Sequence, residues 1–396
     1  MTQGPWRVPR GAARVLALAL LVHLAGCTLP PSPSPRPTAP AQARQLRLIG
    51  TTALPPGTEF LGSTVGGISG IDYDPVHDRY LLISDDRSVH QPARAYTARL
   101  RYSSHQLAPP ELTGVIPLRH ESGQPFASAH RPQPGMDVPD AEAVRWLAGG
   151  QRFLWTSEGD FARGFGPRLR ESEADGMPVR DIALPAGFAP GGGKGPRANG
   201  ALEGLALTEC GHTAWLAMEA PWRQDGPLPT PTLPGGAVRF TAIDVDSGRA
   251  LRQIAYQPDA VPHARRLPWG PQLNGVSEIL ADGPHHLLVL ERAYSAGAGY
   301  AARLYRIDTR DGSDTLALDR LAPGNHRAVP KTLVADFAAL GVAPLDNLEG
   351  MAWGPPLPDG ARVLVFVSDD NFNPAQATQF IAAEYLEPPR PPGPCP

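Results

Sequence analysis

A short pattern of apolar and polar positions recurs five times along the chain. In its last copy, Glu349 precedes an apolar run at residues 350–353, and a polar turn leads to a second apolar run at 363–367, which is followed by Asp369. In an antiparallel hairpin, the start of the first strand and the end of the second lie at the same edge of the sheet. The pattern therefore predicts a hairpin that brings Glu349 close to Asp369.

Four earlier segments repeat this arrangement of a polar residue, two apolar runs and a carboxylate. The pairs of end residues are Ser69 with Asp85, Glu142 with Glu158, Glu203 with Glu219, and Ser277 with Glu291. The two residues of a pair lie 14 to 20 positions apart, and the variation falls in the turn, where insertions are tolerated. A unit repeated in this way indicates a radial or solenoid array.

Further strands are predicted after each hairpin. Third strands of alternating character are expected at 95–102, 237–245, 301–308 and 379–386, and fourth strands at 114–118, 179–185, 251–257 and 314–321. A four-stranded meander repeated five times is typical of a β-propeller. The last copy lacks a fourth strand, so we expect residues 45–55 to complete the last blade and to close the ring.

The predicted fold class is therefore all-β, a β-propeller of four-stranded antiparallel blades spanning residues 45–387. Five repeats are visible, and a sixth blade could lie in the irregular stretches 119–141, 186–200 or 321–346, so the pattern allows five or six blades. Two separate sheets in two domains are disfavoured, because the sequence shows no linker-like break after residue 44.

Composition supports this fold and excludes some functions. Glycine and proline, 42 and 47 of 396 residues, suit many short strands joined by tight turns. The net charge is −3, and no basic stripe with interleaved aromatic residues occurs, so we expect no nucleic-acid partner. The oligomeric state stays open.

Residues 1–27 have the pattern of an export signal. Three arginines precede an apolar run at 15–24, which is short for a membrane span, and residues 24–27 resemble the bacterial lipobox. This resemblance implies that Cys27 is lipidated and anchors the protein to a membrane, with Thr28 favouring the periplasmic face of the outer membrane. The alternative is an ordinary secretory signal and a periplasmic protein.

Proline-rich segments flank the predicted propeller. Residues 28–44 are rich in proline and serine and are expected to form an extended linker, and 388–396 form a Pro-rich tail. An exported protein can form disulfides, but the sequence leaves open whether Cys210 and Cys395 are bonded to each other.

The five pairs are expected to converge at one mouth of the propeller channel, because the first strand of each blade lines it. Eight of the ten positions are carboxylates. Oxygen ligands without a cysteine or histidine cluster favour Ca²⁺ first and Mg²⁺ second. The predicted metal ligands are Asp85, Asp86, Glu142, Glu158, Glu203, Glu349, Asp369 and Asp370. The alternative is structural, since acidic residues at strand ends also cap turns.

Several motifs resemble one known family. They are residues 67–73 with 82–86, Leu-Val-Leu-Glu-Arg at 288–292, Asp-Asn-Leu-Glu-Gly-Met-Ala at 346–352, and residues 367–372. Together they look like the phytase-like family, described as having esterase-like activity of phytase, over about residues 44–387. The resemblance implies a propeller related to phosphoester or ester hydrolases, with calcium bound at the channel mouth and substrate phosphate held by lysine and arginine.

The resemblance suggests roles for particular residues. Arg87 and Arg292 follow acidic hairpin ends, where they are expected to clamp a phosphate, and either Glu219 or Glu291 is expected to act as general base. The predicted substrate-binding residues are Asn199, Asn274, Asn347 and Lys331. The alternative for the arginines is a salt bridge within the rim.

Two functions follow from the sequence. The first is a metal-dependent hydrolase acting on a small anionic or ester substrate. The second is a non-catalytic envelope protein that binds a ligand or partner and holds structural calcium. Only two lysines occur, Lys194 and Lys331, which disfavours a substrate as highly charged as inositol hexakisphosphate.

Overall fold

Five four-stranded antiparallel sheets surround one axis in the computed structural model, which describes residues 45–387. Each sheet is a blade, and the innermost strand of each blade contacts the innermost strands of both neighbouring blades, so the ring is closed. The predicted all-β propeller is therefore confirmed, with five blades among the described residues.

The strands of the first four blades follow each other outwards from the axis. Blade one contains β4 (Ile68–Asp74), β5 (Arg79–Ser84), β6 (Arg94–Arg99) and β7 (Glu111–Pro117). Blade two contains β8 (Ala141–Trp146), β9 (Arg152–Ser157), β10 (Arg168–Glu173) and β11 (Pro178–Ile182). Blade three contains β12 (Leu202–Leu207), β13 (Thr213–Met218), β14 (Val238–Asp244) and β15 (Ala250–Tyr256). Blade four contains β16 (Gln272–Ala281), β17 (His286–Ser295), β18 (Gly299–Asp308) and β19 (Lys331–Asp336).

Blade five joins the two ends of the described chain. It contains β20 (Asn347–Gly354), β21 (Arg362–Asp369), β22 (Gln379–Tyr385) and, on the outside, β1 (Leu46–Ala53). β1 pairs with β22 from Leu46 opposite Tyr385 to Ala53 opposite Gln379. The predicted closure by an N-terminal strand is confirmed. Outside the blades lie a small hairpin, β2 (Glu59–Phe60) with β3 (Ser63–Thr64), and two 3₁₀ helices, Phe161–Arg163 and Ala186–Phe188.

One predicted strand is wrong. Residues 314–321 form turns, and the fourth strand of blade four is β19, which lies within a stretch considered for a sixth blade. The apolar residues of 314–321 serve another contact, because Leu321 packs with Ala237 and Ala255 of blade three. The backbone N–H of Leu321 also donates to the Asp225 carboxylate at 2.7 Å. The segment therefore joins blades three and four instead of extending a sheet.

Every innermost strand carries a β-bulge at the same height. The pairing register shifts across Ser69, Glu203, Ser277 and Glu349, and across a longer bulge that includes Glu142. A bulge bends its strand and re-aims a side chain. Close packing of neighbouring strands accompanies it: a Cβ at Gly70 would lie 2.5 Å from the carbonyl oxygen of Glu142 in the next blade. The first residue of each repeated pair is thus a bulge residue.

Some predictions fall outside residues 45–387. These are the export signal 1–27 with the lipidation site Cys27, the linker 28–44 and the tail 388–396. Cys210 is disulfide-bonded, and the other two cysteines lie outside the described residues. In the part of the chain that the structure describes, no helix has the length and apolar character to cross a membrane.

Candidate functional site

A cavity of about 660 Å³ opens at one end of the propeller axis. Eight carboxylates from four of the five blades line it: Asp85, Asp140, Glu142, Glu158, Glu203, Glu219, Glu349 and Asp369. Asn199, Asn274, Asn347 and Arg292 line it too. The structure therefore brings together eleven of the residues selected from the sequence and adds Asp140, which the sequence analysis missed.

Hairpin geometry explains this convergence. Glu142, Glu203 and Glu349 occupy the bulges of their inner strands. Asp85, Glu158, Glu219 and Asp369 stand where the second strand of a blade ends, opposite the residue two positions before the bulge, and in blade two that opposite residue is Asp140. Asp369 pairs with Asn347 in this way, and the backbone N–H of Glu219 donates to the carbonyl of Ala201 at 2.8 Å. The two carboxylates of one hairpin thus reach the same mouth.

The register of blade four changes one prediction. The residue opposite the position two before its bulge is Arg292, which pairs with Gly275. Arg292, and not Glu291, is therefore the counterpart of Asp85, Glu158, Glu219 and Asp369. Neighbouring side chains of a strand point to opposite faces, so Glu291 turns away from the cavity.

Glu291 lies between blades three and four. Its carboxylate accepts hydrogen bonds from Tyr256 Oη at 2.6 Å and from Asn274 Nδ2 at 2.8 Å. It also pairs with Lys331, whose ammonium contacts Asp259 at 2.7 Å and lies over the ring of Tyr305. The structure thus places the predicted base Glu291 and the predicted substrate ligand Lys331 outside the cavity, in a buried ion-pair network.

Three further predicted residues lie beside the cavity without lining it. Asp86 pairs with Arg94 at 2.6 Å, and it accepts the N–H groups of residues 89–91. Asp370 accepts the N–H of Gly67 at 2.9 Å. Arg87 lies 3.7 Å from Asp140 and 3.4 Å from Asp160. These contacts match the turn-capping and rim salt-bridge alternatives, so we leave the three residues out of the candidate site.

Three carboxylates form a candidate metal centre on the side of blade two. Asp140, Glu142 and Glu158 each offer an oxygen, and these oxygens lie within 4.8 Å of one another. Glu158 also accepts the N–H of Gly200 at 2.7 Å, which orients its carboxyl group. Grouped carboxylate oxygens are the ligands that Ca²⁺ prefers.

The surroundings of the cavity disfavour the charged form of its carboxyl groups. Burial, and then the charge of Asp140, raise the pKa of Glu158 to about 8. Burial likewise raises the pKa of Asp140 to about 6, against the opposing effect of Arg87. Glu142 and Glu203 have pKa values well above their usual range because both are buried and both face other carboxylates. Such a set needs protons or a cation for neutralisation.

Blade five offers an unpartnered oxygen to the same cavity. Asn347 Nδ2 donates to Glu349 at 2.8 Å and to Asp369 at 3.4 Å. Asn347 Oδ1 is buried and accepts no hydrogen bond from the described residues. A buried acceptor without a donor is costly, and a cation would satisfy it. Asn347, Glu349 and Asp369 therefore also fit a hard metal ion.

Arg292 partly offsets the negative charge of the eight carboxylates that line the cavity. Its guanidinium lies 3.2 Å from Glu219 and 2.9 Å from Glu349. Burial alone would lower the pKa of Arg292, but Glu219, Glu349 and Glu203 together raise it above its usual value. The pKa of Glu219 is raised by burial, with Arg292 acting in the opposite direction. One fixed cation therefore stands among eight carboxylates.

Two further arginines, Arg197 and Arg223, line the rim of the cavity. Arg197 donates to the carbonyls of Pro221 and Gly226, and Arg223 is exposed. Neither side chain has a carboxylate partner among residues 45–387. Burial, and then the charge of Arg223, lower the pKa of Arg197. The two arginines lie in long loops outside the repeat, where the sequence pattern carried no signal for Arg197.

Comparisons with known proteins found one matching family model and several distantly similar solved structures. The family model described as "Phytase-like: Esterase-like activity of phytase" matches residues 63–372. A search of curated proteins found no match. Among solved structures, similar chains include a GH43 β-1,3-galactosidase (10% identity, TM-score 0.47, covering 84% of this chain and 60% of that one) and the α-L-arabinofuranosidase of Lactobacillus brevis (10%, 0.42, 83% and 96%). Kuenenia stuttgartiensis hydrazine synthase is similar at 12% identity and a TM-score of 0.37, covering 79% and 81%.

Proposed function

The chain belongs to the phytase-like family with esterase-like activity, and from this premise we propose a hydrolase that cleaves a phosphoester or related ester in the acidic cavity with a bound divalent cation. The observation that carries the proposal is the buried ring of carboxylates, together with the unpartnered Oδ1 of Asn347. Ca²⁺ is proposed first and Mg²⁺ second, because every candidate ligand is an oxygen and the cavity is large.

Two groups of residues would hold the cation. Asp140, Glu142 and Glu158 form one group, and Asn347, Glu349 and Asp369 form the other. A bound divalent cation would polarise the ester oxygen and stabilise the charge that develops there. The protein's own contribution is a set of ligands fixed by strand bulges and backbone hydrogen bonds, which needs little rearrangement for binding.

The charged residues outside the two cation-binding groups would have separate roles. Arg197 and Arg223, which lack carboxylate partners among the described residues, would attract an anionic substrate to the mouth. Glu219 would accept the proton of an attacking water, because burial raises its pKa towards the range of a general base. Arg292 would hold Glu219 in place through their ion pair at 3.2 Å.

We further propose that the protein is an exported lipoprotein anchored through Cys27. The described chain begins beside Leu46, which pairs with Tyr385 at the end of β22. The start of β22 follows the loop after Asp369, so β22 runs away from the mouth. Leu46 therefore lies at the face of the propeller opposite the cavity.

The test combines metal binding with turnover. We expect Ca²⁺ to raise the melting temperature of the purified protein, EDTA to reverse the shift, and hydrolysis in a phosphatase and esterase screen to follow the same dependence. Glu142→Gln should weaken both effects, whereas Glu121→Gln, at a side chain 82% exposed, should change neither. Hydrolysis that is indifferent to chelators would refute the metal-dependent mechanism.

A second function is favoured by one contact. Arg292 is bound to both Glu219 and Glu349, so the proposed base is already paired. A propeller that binds an envelope component and uses calcium structurally would have no need of a free base. A large calcium shift without turnover on any phosphoester or ester would favour this alternative.

A further inference from the structure

Two unlike groups of residues line the cavity. Carboxylates come from blades one, two, three and five, and most of the large apolar and aromatic residues come from blade four. These large apolar and aromatic residues are Leu228 and Pro229 from the loop after β13, Pro271 and Leu273 from the start of blade four, and Tyr294 and Tyr300 from its next hairpin. We call these six residues the apolar wall.

Blade four builds most of this wall because its strands are longer. β16, β17 and β18 each have 10 residues, whereas β8, β9, β12 and β13 have 6. The additional pairs lie on the mouth side of the Gly275–Arg292 pair and include Leu273 opposite Tyr294. The hairpin therefore rises past the ring of carboxylates and faces across the cavity.

The wall is held rigidly but is not covered. The rings of Tyr294 and Tyr300 lie 4.7 Å apart, and Gln376 of the neighbouring blade donates to Tyr300 Oη at 3.1 Å. Leu273, Tyr294 and Tyr300 are only half-buried, and Leu228 is 48% exposed. Apolar surface left open inside a concave polar site is typical of ligand pockets, which join an apolar lining to a few placed polar groups.

The geometry points to an amphiphilic substrate, in which one anionic head group is joined to an apolar group about the size of a ring. The head group lies at the carboxylate-held cation and at Arg197 and Arg223, and the apolar group lies against the wall. The substrate assignment rests on the proposed function, but the binding preference does not. Two rim arginines without carboxylate partners among residues 45–387 suit one anionic group better than a ligand that carries many phosphates.

The test compares two phosphonates that cannot be hydrolysed. Isothermal titration in calcium-containing buffer would measure phenylphosphonate and methylphosphonate, which share the head group and differ in the ring. Burying a ring against apolar side chains predicts binding of phenylphosphonate about tenfold tighter or more. Leu273→Ala and Tyr294→Ala should each lower the ratio of the affinity for phenylphosphonate to the affinity for methylphosphonate. Leu233→Ala, at an exposed leucine outside the cavity lining, should leave it unchanged.

Each result has one meaning. Equal affinities, or no binding of either phosphonate, would overturn the inference even if the protein hydrolyses esters. A preference that survives both wall substitutions, in variants whose melting temperature is unchanged, would also overturn it, because the ring would then bind elsewhere. A preference lost on wall substitution, in a protein without hydrolytic activity, would uphold the inference and count against the proposed function.

Discussion

Arg145 lies 2.8 Å from Glu278 inside the channel, and this buried pair connects all five blades. Arg145, in blade two, donates to the carbonyls of Ile71, Ile279 and Met351, which belong to blades one, four and five. Glu278, in blade four, accepts the N–H of Leu205 in blade three at 3.0 Å. The pair therefore cross-links the inner strands.

Removing one partner of this pair should destabilise the whole propeller. Arg145→Leu would leave the Glu278 carboxylate buried without its cation and would remove a donor from several buried carbonyls, and we expect a loss of about 3–5 kcal/mol in the free energy of unfolding. Chemical denaturation would measure it. The double variant Arg145→Leu with Glu278→Leu should lose less than Arg145→Leu alone, because no uncompensated charge remains.

Arg101→Leu provides the control. Its side chain is 64% exposed and pairs with exposed Asp78, so we expect a change near zero. An Arg145→Leu variant as stable as this control would show that the pair does not hold the blades together.

The stability of the metal-free protein should fall as pH rises. The pKa of Asp140 is raised to about 6 and that of Glu158 to about 8, so the folded state keeps protons that the unfolded chain releases. A carboxyl group whose pKa is higher in the folded state than in the unfolded chain contributes its full stability at pH values below the unfolded pKa. This contribution is lost as the pH rises through the pKa of the folded state. In EDTA, we therefore expect the melting temperature to drop by about 5 °C or more between pH 5 and pH 8.

Calcium should reduce the change of melting temperature with pH, because the bound cation neutralises the carboxylates in place of the protons. Glu158→Gln should also reduce the slope in EDTA, while exposed Glu121→Gln should keep it. A melting temperature that rises with pH in EDTA would contradict the assignment of raised pKa values to the cavity.

Arg292→Gln should increase the affinity for calcium. The substitution removes the one cation that contacts both Glu219 and Glu349, so the cavity becomes more negative. We expect binding about tenfold tighter by titration calorimetry, together with a lower melting temperature in EDTA. Arg310→Gln, at a side chain 62% exposed, is the control. Weaker calcium binding in Arg292→Gln would show that Arg292 positions the metal ligands instead of competing with the metal.

The close approach of the inner strands predicts that replacing one glycine by alanine destabilises the fold. An added Cβ at Gly70 would meet the carbonyl oxygen of Glu142 at 2.5 Å, which is backbone and cannot rotate away. We expect Gly70→Ala to cost roughly 1–3 kcal/mol in unfolding experiments, as overpacking does. Gly114→Ala, in the outermost strand of the same blade, meets only the Thr97 hydroxyl and should be tolerated. Equal stability of the two variants would contradict this packing.

Two errors show where local pattern was insufficient. Residues 314–321 have apolar positions suited to a strand, yet Leu321 packs against blade three, and β19 takes the edge of blade four. Glu291 follows an apolar strand as the other carboxylates do, but Arg292 occupies the equivalent position. The pair Ser277 and Glu291 has the shortest separation of the five, which was a local indication of a different register.

The repeated pattern of apolar and polar residues was enough to predict the propeller, its closing strand and most of the acidic mouth, because hairpins of period two place residues such as Glu349 and Asp369 at one edge. Tertiary structure alone decided which neighbour in each strand faces the axis, since a shift of one residue exchanges the two faces. It likewise decided the pairing of Arg145 with Glu278 and the rise of Tyr294 above the ring. Arg145 and Glu278 belong to different blades, and only closure of the propeller brings them within bonding distance.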